Sequence, residues 1–282
     1  MFVCRYYKQV SSNHKTTTAK LKRIKKHKKS KELVDSFYEQ DSHCLVIHYS
    51  CESFYDIKDG KTPRITSIAV RYLTSAQTKS FSIHKIAELK GIDFNEIDNN
   101  YDELEKEMLR EFFDFAQKHS SYKWIHWNMR DINYGFEAIQ YRANVLGIKK
   151  PFEIPDDKKF DLARILIDIY GKKYAEHPRL VSILNQNNIS SKNWLNGDEE
   201  AVAFENKEFV KLHQSTLAKV DVFENIIKLT AEGQLKTKSK LTDIYGISPQ
   251  GVFEMMKDNW LLSLILFFIS AILGAYFGKL FE

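Results

Sequence analysis

His43 to Ser53 reads HCLVIHYSCES, a short apolar run that closes on a hydroxyl, a thiol and a carboxylate. Bounded by polar residues, such a run reads as a strand. Beyond a polar turn holding Gly60 and Pro63, RITSIAVRYL (64–73) alternates as a second strand, and KSFSIHKI (79–86) follows as a third. Three strand-like runs in succession predict an antiparallel meander. A helix is expected from about Asn100 to His119, with Leu104, Met108, Leu109, Phe112, Phe113 and Phe115 on one broad face. YKWIHWN (122–128) is a further strand, and INYGFEAIQYRANVLG (132–147) a helix closing at Gly147. KFDLARILIDIYG (159–171) is another short element, strand or helix. PRLVSILNQNNI (178–189) and a long amphipathic segment from Asn206 to Gly233 complete the series as helices. Strands that give way to helices in this order predict an α/β domain, a mixed sheet flanked by helices.

The composition agrees with a folded domain. Of 282 residues 43% are apolar and 13% aromatic, too many for wholesale disorder. The net charge of +5 is concentrated: KLKRIKKHKKSK (20–31) carries eight Lys or Arg and no acid. This run reads as a charged helix or solvated tail, or as a surface for anionic lipid or nucleic-acid phosphate; Lys22, Arg23, Lys25 and Lys26 are the candidate contacts. The three cysteines, Cys4, Cys44 and Cys51, have no zinc-like pairing and suit a reducing compartment. The N-terminal MFVCRYYKQV lacks an apolar core of signal-peptide length.

Near the other end, WLLSLILFFISAILGAYFG (260–278) has no charge and is bracketed by Lys257, Asp258 and Lys279. At ~1.5 Å per residue it would cover about 28 Å, so a single transmembrane helix is expected over 259–280. Trp260 and Tyr276 stand where interfacial rings belong. The rest of the chain is then expected on the cytoplasmic side, C-terminally anchored. Ser270, Gly274 and Gly278 recur every four residues, a spacing that lets two helices approach closely and predicts a homo-oligomer. The expected domains are a basic tail (1–40), a globular domain (41–233), a juxtamembrane linker with a short helix (234–258) and the span (259–280). In the linker, Ser248 before Pro249 reads as a plain helix start more than as the turn of a helix-turn-helix.

The order of elements and several local strings resemble the DEDD exonucleases of the RNase H-like fold, the group of the DnaQ-like proofreading domains. The resemblance covers about residues 43–232. In that family a first strand ends in Asp-x-Glu, a second site follows a strand reading roughly His-Asn-x-x-Phe-Asp, and a final helix carries an Asp with a His or Tyr several residues earlier. Two-metal phosphodiester hydrolysis requires such clustered hard oxygen ligands. Here the first pair falls on Ser50 and Glu52, the second site on Asn128 and Asp131, and the last on Asp221, with Thr216 where the His would stand and His213 one turn before it.

The resemblance implies an RNase H-like fold. It also implies that Glu52, Asp131 and Asp221 would hold Mg²⁺ or Mn²⁺, with His213 near the attacking water. Trp127 and Asn128 would touch DNA or RNA. Ser50 and Thr216 depart from the family pattern. The expectation is therefore a membrane-tethered, catalytically degenerate exonuclease-like domain that binds nucleic acid or a nucleotide and signals through its helix, as an antiviral defence effector would. An active 3′–5′ exonuclease and a membrane recruitment scaffold are the alternatives. No phosphate-binding Gly-rich loop, Gly-x-Ser-x-Gly or HExxH string is present.

Overall fold

Cys44–Cys51 forms β1, the centre of a five-stranded sheet; six of its first seven side chains are apolar or aromatic-sized and all seven are buried. The computed structural model describes residues 22–39, 43–53 and 62–278. On one edge of β1 runs β2 (Ile65–Tyr72), antiparallel, and beyond it β3 (Thr78–Ser82), antiparallel to β2. On the other edge β4 (Lys123–His126) and then β5 (Lys159–Asp161) pair in parallel. The order is β3-β2-β1-β4-β5, a mixed sheet in which β2 alone runs against the rest. The expected meander is thus present, but its third strand stops at Ser82. Ile83 starts helix α2 (Ile83–Leu89), whose inward residues Ile83, Ile86 and Ala87 recur at helical spacing.

Residues 22–35 are helical and are labelled α1. The other helices are α3 (Tyr101–Lys118), α4 (Phe136–Val145), α5 (Leu162–Tyr170), α6 (Arg179–Asn187), α7 (Gly197–Glu205), α8 (Phe209–Ala231), α9 (Leu241–Tyr245), α10 (Pro249–Asp258) and α11 (Trp260–Gly278). Gly147 and Gly233 follow α4 and α8 at φ 77° and 67°, the left-handed stops that glycine accepts without a Cβ penalty. KFDLARILIDIYG resolves into β5 followed by α5.

Among the described residues the chain divides into two compact units, one drawn from 22–31, 166–180 and 237–278, the other from 32–165 and 181–236. The second holds the sheet. Alternation along β1 sends Leu45, Ile47 and Tyr49 into one core with Phe112, Met108 and Trp124, while His48 and Ser50 turn to the opposite face, under α8. The aromatic expectation for α3 holds: Phe112 meets Phe81 and Trp124 edge-on. Truncating so buried a ring costs ~3–5 kcal/mol.

The first unit holds α10 and α11. Asn259, extended at φ −134° and ψ 95°, breaks the path between them. No single helix among the described residues is long and apolar enough to cross a membrane. The pair Pro249–Asp258 and Ser263–Phe277, bent by 120°, passes that test together. The expected span falls on α11, as far as Gly278, and the bend of 120° separates it from the short helix α10 expected before it.

Candidate functional site

Four hydroxyls and one ion pair meet where the C-terminal half of β1 passes under α8. Thr216 donates its single hydrogen to the Leu212 carbonyl (2.9 Å), the back-bond of a helical threonine. Its two lone pairs then face the hydroxyls of Ser50 and Ser67, each 2.7 Å away. Ser50 also lies 3.2 Å from Glu200 Oε1. Ser215 donates to the same oxygen (2.8 Å) and accepts from the Leu195 amide (3.2 Å). Lys219 Nζ closes the group at 2.6 Å from Glu200 Oε1, with the two side chains only 8% and 14% exposed. The ammonium also sits over the Trp194 ring, 5.4 Å from its centre.

Local sequence explains why these groups converge. Thr216, Lys219 and Phe223 recur at three- and four-residue spacing, so one stripe of α8 carries all three inward. Glu200 arrives on α7, which begins with a capping box between Asn196 and Glu199. Beside the cluster, His48 is buried between Tyr134 Oη (3.2 Å from Nδ1) and the Phe223 ring edge, and burial holds its pKa well below the usual value. Burial likewise pushes the Cys51 thiol up, with Glu200 and Glu52 adding to the effect. Neither is poised as a nucleophile or acid at neutral pH.

The residues that the sequence nominates for metal do not join this cluster or one another. Glu52 is held by Arg64, whose Nε lies 3.3 Å away, on the wall of a cleft of about 600 Å³ lined also by Asp98, Tyr101, Asp102 and Arg142. Asp131 is exposed and accepts from the Asn133 amide (2.9 Å), as an Asx turn does. Asp221 falls off the inward stripe of α8, is about half exposed, and pairs with Arg71 (3.1 Å). Among the described residues no three His, Cys, Asp or Glu side chains converge as a metal site needs. His213 is buried against His84, ring centres 5.0 Å apart. Burial lowers its pKa to about 3, so it is neutral.

Trp127 is buried and stacked on Phe223, centres 5.9 Å apart, so the ring belongs to the core and offers no face to a base. Asn128, at φ 55°, donates its amide to Asp161 (3.2 Å) and accepts from Arg130 (3.1 Å). Asp161 is further tied to Arg130 (3.1 Å). His126, whose Nδ1 accepts from the Met129 amide, is lowered by burial to about pKa 4. Of the basic run, Lys22, Lys25 and Lys26 are exposed on α1, whereas Arg23 is drawn onto the carbonyls of Asp168 and Ile169. On α11, Ser270 and Gly274 lie on one face; Ser270 bonds back to the Phe267 carbonyl (2.8 Å), and no atom approaches a Cβ built on Gly274.

Glu200, Lys219, Ser67 and Ser215 were not legible as site residues. The Asn-x-x-Glu cap at 196–199 was the available sign that a helix, and with it Glu200, stood there. No protein-family model matches this chain, and no curated protein matches it either.

Proposed function

We propose that this chain is a membrane-tethered domain of RNase H-like architecture whose exonuclease chemistry has lapsed. It works instead as a binding module for nucleic acid or a nucleotide, coupled to its C-terminal helices. The single observation that carries this reading is Lys219. Its ammonium pairs with Glu200, whose Oε1 also lies 3.2 Å from the Ser50 hydroxyl, at the strand end where an exonuclease would gather divalent ions. A lysine there supplies one fixed positive charge, and the hydroxyls are already satisfied by one another. Such a cluster has no empty ligand set for Mg²⁺ or Mn²⁺.

The sheet order, with β2 alone reversed, supports the fold reading, since the resemblance implies a mixed sheet of this kind. The cornered α10–α11 pair and its exposed apolar surface support the tether. Self-association through Ser270, Gly274 and Gly278 would make the module an oligomer in the bilayer.

The test is incubation of the full chain, in detergent, with end-labelled single-stranded DNA and RNA plus Mg²⁺ or Mn²⁺. The expected result is intact substrate together with oligonucleotide binding that weakens with salt. Shortening from the 3′ end that disappears in the Glu52→Ala/Asp221→Ala protein would establish the active exonuclease instead. Intact substrate with no oligonucleotide or nucleotide binding would favour a recruitment scaffold.

A further inference from the structure

Three polar atoms lie buried and unpartnered where β3 gives way to α2 beneath α8. They are Ser82 Oγ, His84 Nδ1 and His213 Nε2, each without a hydrogen-bond partner among the described residues. The topology brings them together. Ser82 stands directly opposite Ser67 in the β2–β3 register, so the two side chains share a face of the sheet, and Ser67 reaches Thr216 of α8 at 2.7 Å. His213 lies one turn before Thr216 on that helix. His84, in the first turn of α2, brings its ring to 5.0 Å from that of His213, with the planes 51° apart. All of these residues belong to the sheet-bearing unit.

Buried polar atoms are satisfied almost everywhere in folded proteins, so three unpaired ones in one place call for a partner. A neutral imidazole carries a lone pair on one nitrogen. With the proton of each ring on its other nitrogen, two lone pairs are left buried, and the single hydrogen of Ser82 can serve only one of them. Burial lowers the pKa of His84 and takes that of His213 to about 3, with Lys85 acting in the same direction on both. Neither nitrogen is therefore blocked by a proton at neutral pH. The ring spacing also fits one ion, since two imidazoles held at ~2.0–2.1 Å by a tetrahedral metal have centres about 5 Å apart. Glu88 stands four residues past His84 on the same stripe of α2, exposed, and near enough for its charge to raise the His84 pKa. Two protein ligands are thus in place, and a third is turned outward beside them.

We infer that this junction binds one transition-metal ion of the zinc class, held by His84 Nδ1, His213 Nε2 and, once it folds inward, Glu88, with Ser82 Oγ beside it. Nitrogen donors select such an ion over Mg²⁺, which prefers oxygen ligands. The role is structural: the ion ties α2 to α8 at the end of β3. It is independent of the cluster around Glu200 and Lys219 and of any phosphodiester chemistry.

The experiment is titration of the full chain, untagged, in detergent and stripped with a chelator. Zn²⁺ is followed by calorimetry and Co²⁺ by its visible absorption. The expected result is one ion per chain, a tetrahedral cobalt spectrum, and no heat of binding with Mg²⁺. His84→Asn and His213→Asn should each weaken Zn²⁺ binding by roughly tenfold or more, and Glu88→Gln by a smaller factor, with circular dichroism like that of the parent protein. X-ray absorption at the zinc edge of the loaded parent needs no variant, and should show imidazole scattering without a sulfur shell. Absent binding, or binding that survives both histidine replacements, would overturn the inference and leave a buried water as the partner of the three atoms. A zinc–sulfur shell would overturn it too, by moving the ion to the cysteines.

Discussion

Thr216 Oγ1 stands 2.7 Å from the hydroxyl of Ser50 and 2.7 Å from that of Ser67, bridging two adjacent strands from the helix above them. All three groups are buried. Replacing Thr216 by Val keeps the shape and removes the bridge, leaving two buried serines with one fewer acceptor. The expected loss is about 1–3 kcal/mol, with Thr216→Ser closer to the parent protein. Urea midpoints at unchanged slope would check it.

Lys219→Met strands the Glu200 carboxylate in a nearly buried site. Breaking such a pair from one side costs ~3–5 kcal/mol, whereas removing both charges costs far less. The Glu200→Gln/Lys219→Met protein should therefore be more stable than Lys219→Met alone. A double-mutant cycle on thermal unfolding reads the coupling directly. Additive single losses would mean that the two groups do not act as a pair.

Acid should destabilise the fold earlier than its carboxylates alone would. His126 and His213 are held by burial at about pKa 4 and about 3, against ~6.5 for an unfolded histidine. Lowered folded values mean that their contribution is complete above pH ~6.5 and is lost as pH falls toward those values, at up to ~1.4 kcal/mol per pH unit for each group. Melting temperatures between pH 7.5 and 4.5 should fall less steeply in a His126→Asn/His213→Asn protein. Parallel slopes would contradict the assignment.

Gly251→Ala tests the corner between α9 and α10. A Cβ on Gly251 would run into the Tyr245 carbonyl oxygen, a backbone atom that cannot swing aside. The two short helices must part, at a cost of ~1–3 kcal/mol or more. Limited proteolysis around 245–252 should speed up, while the sheet-bearing unit keeps its resistance.

How much of this was legible beforehand varies with range. Apolar periodicity placed the strands and long helices because it depends on neighbours a few residues apart, and the glycine stops at 147 and 233 are local for the same reason. The end of β3 was missed because IHKI suits strand and helix equally, and packing against α3 decides it. The site was legible only in part. Ser50 and Thr216 were singled out as departures, and the structure does bring them together. The rotation of α8 that turns Lys219 inward and Asp221 out depends on a whole helix face meeting a sheet, with Glu200 contributed from elsewhere. Spacing within one segment carries no record of that.

The break at Asn259 has a mechanical meaning. In one continuous helix, a twist applied at one end reappears as a twist at the other. At a corner of 120°, rotation of α10 about its own axis becomes a sideways sweep of α11. The Ser263 hydroxyl, bonded across the corner to the Met256 carbonyl at 2.6 Å, links the two arms as a strut. Whatever turns α10 therefore steers where α11 points.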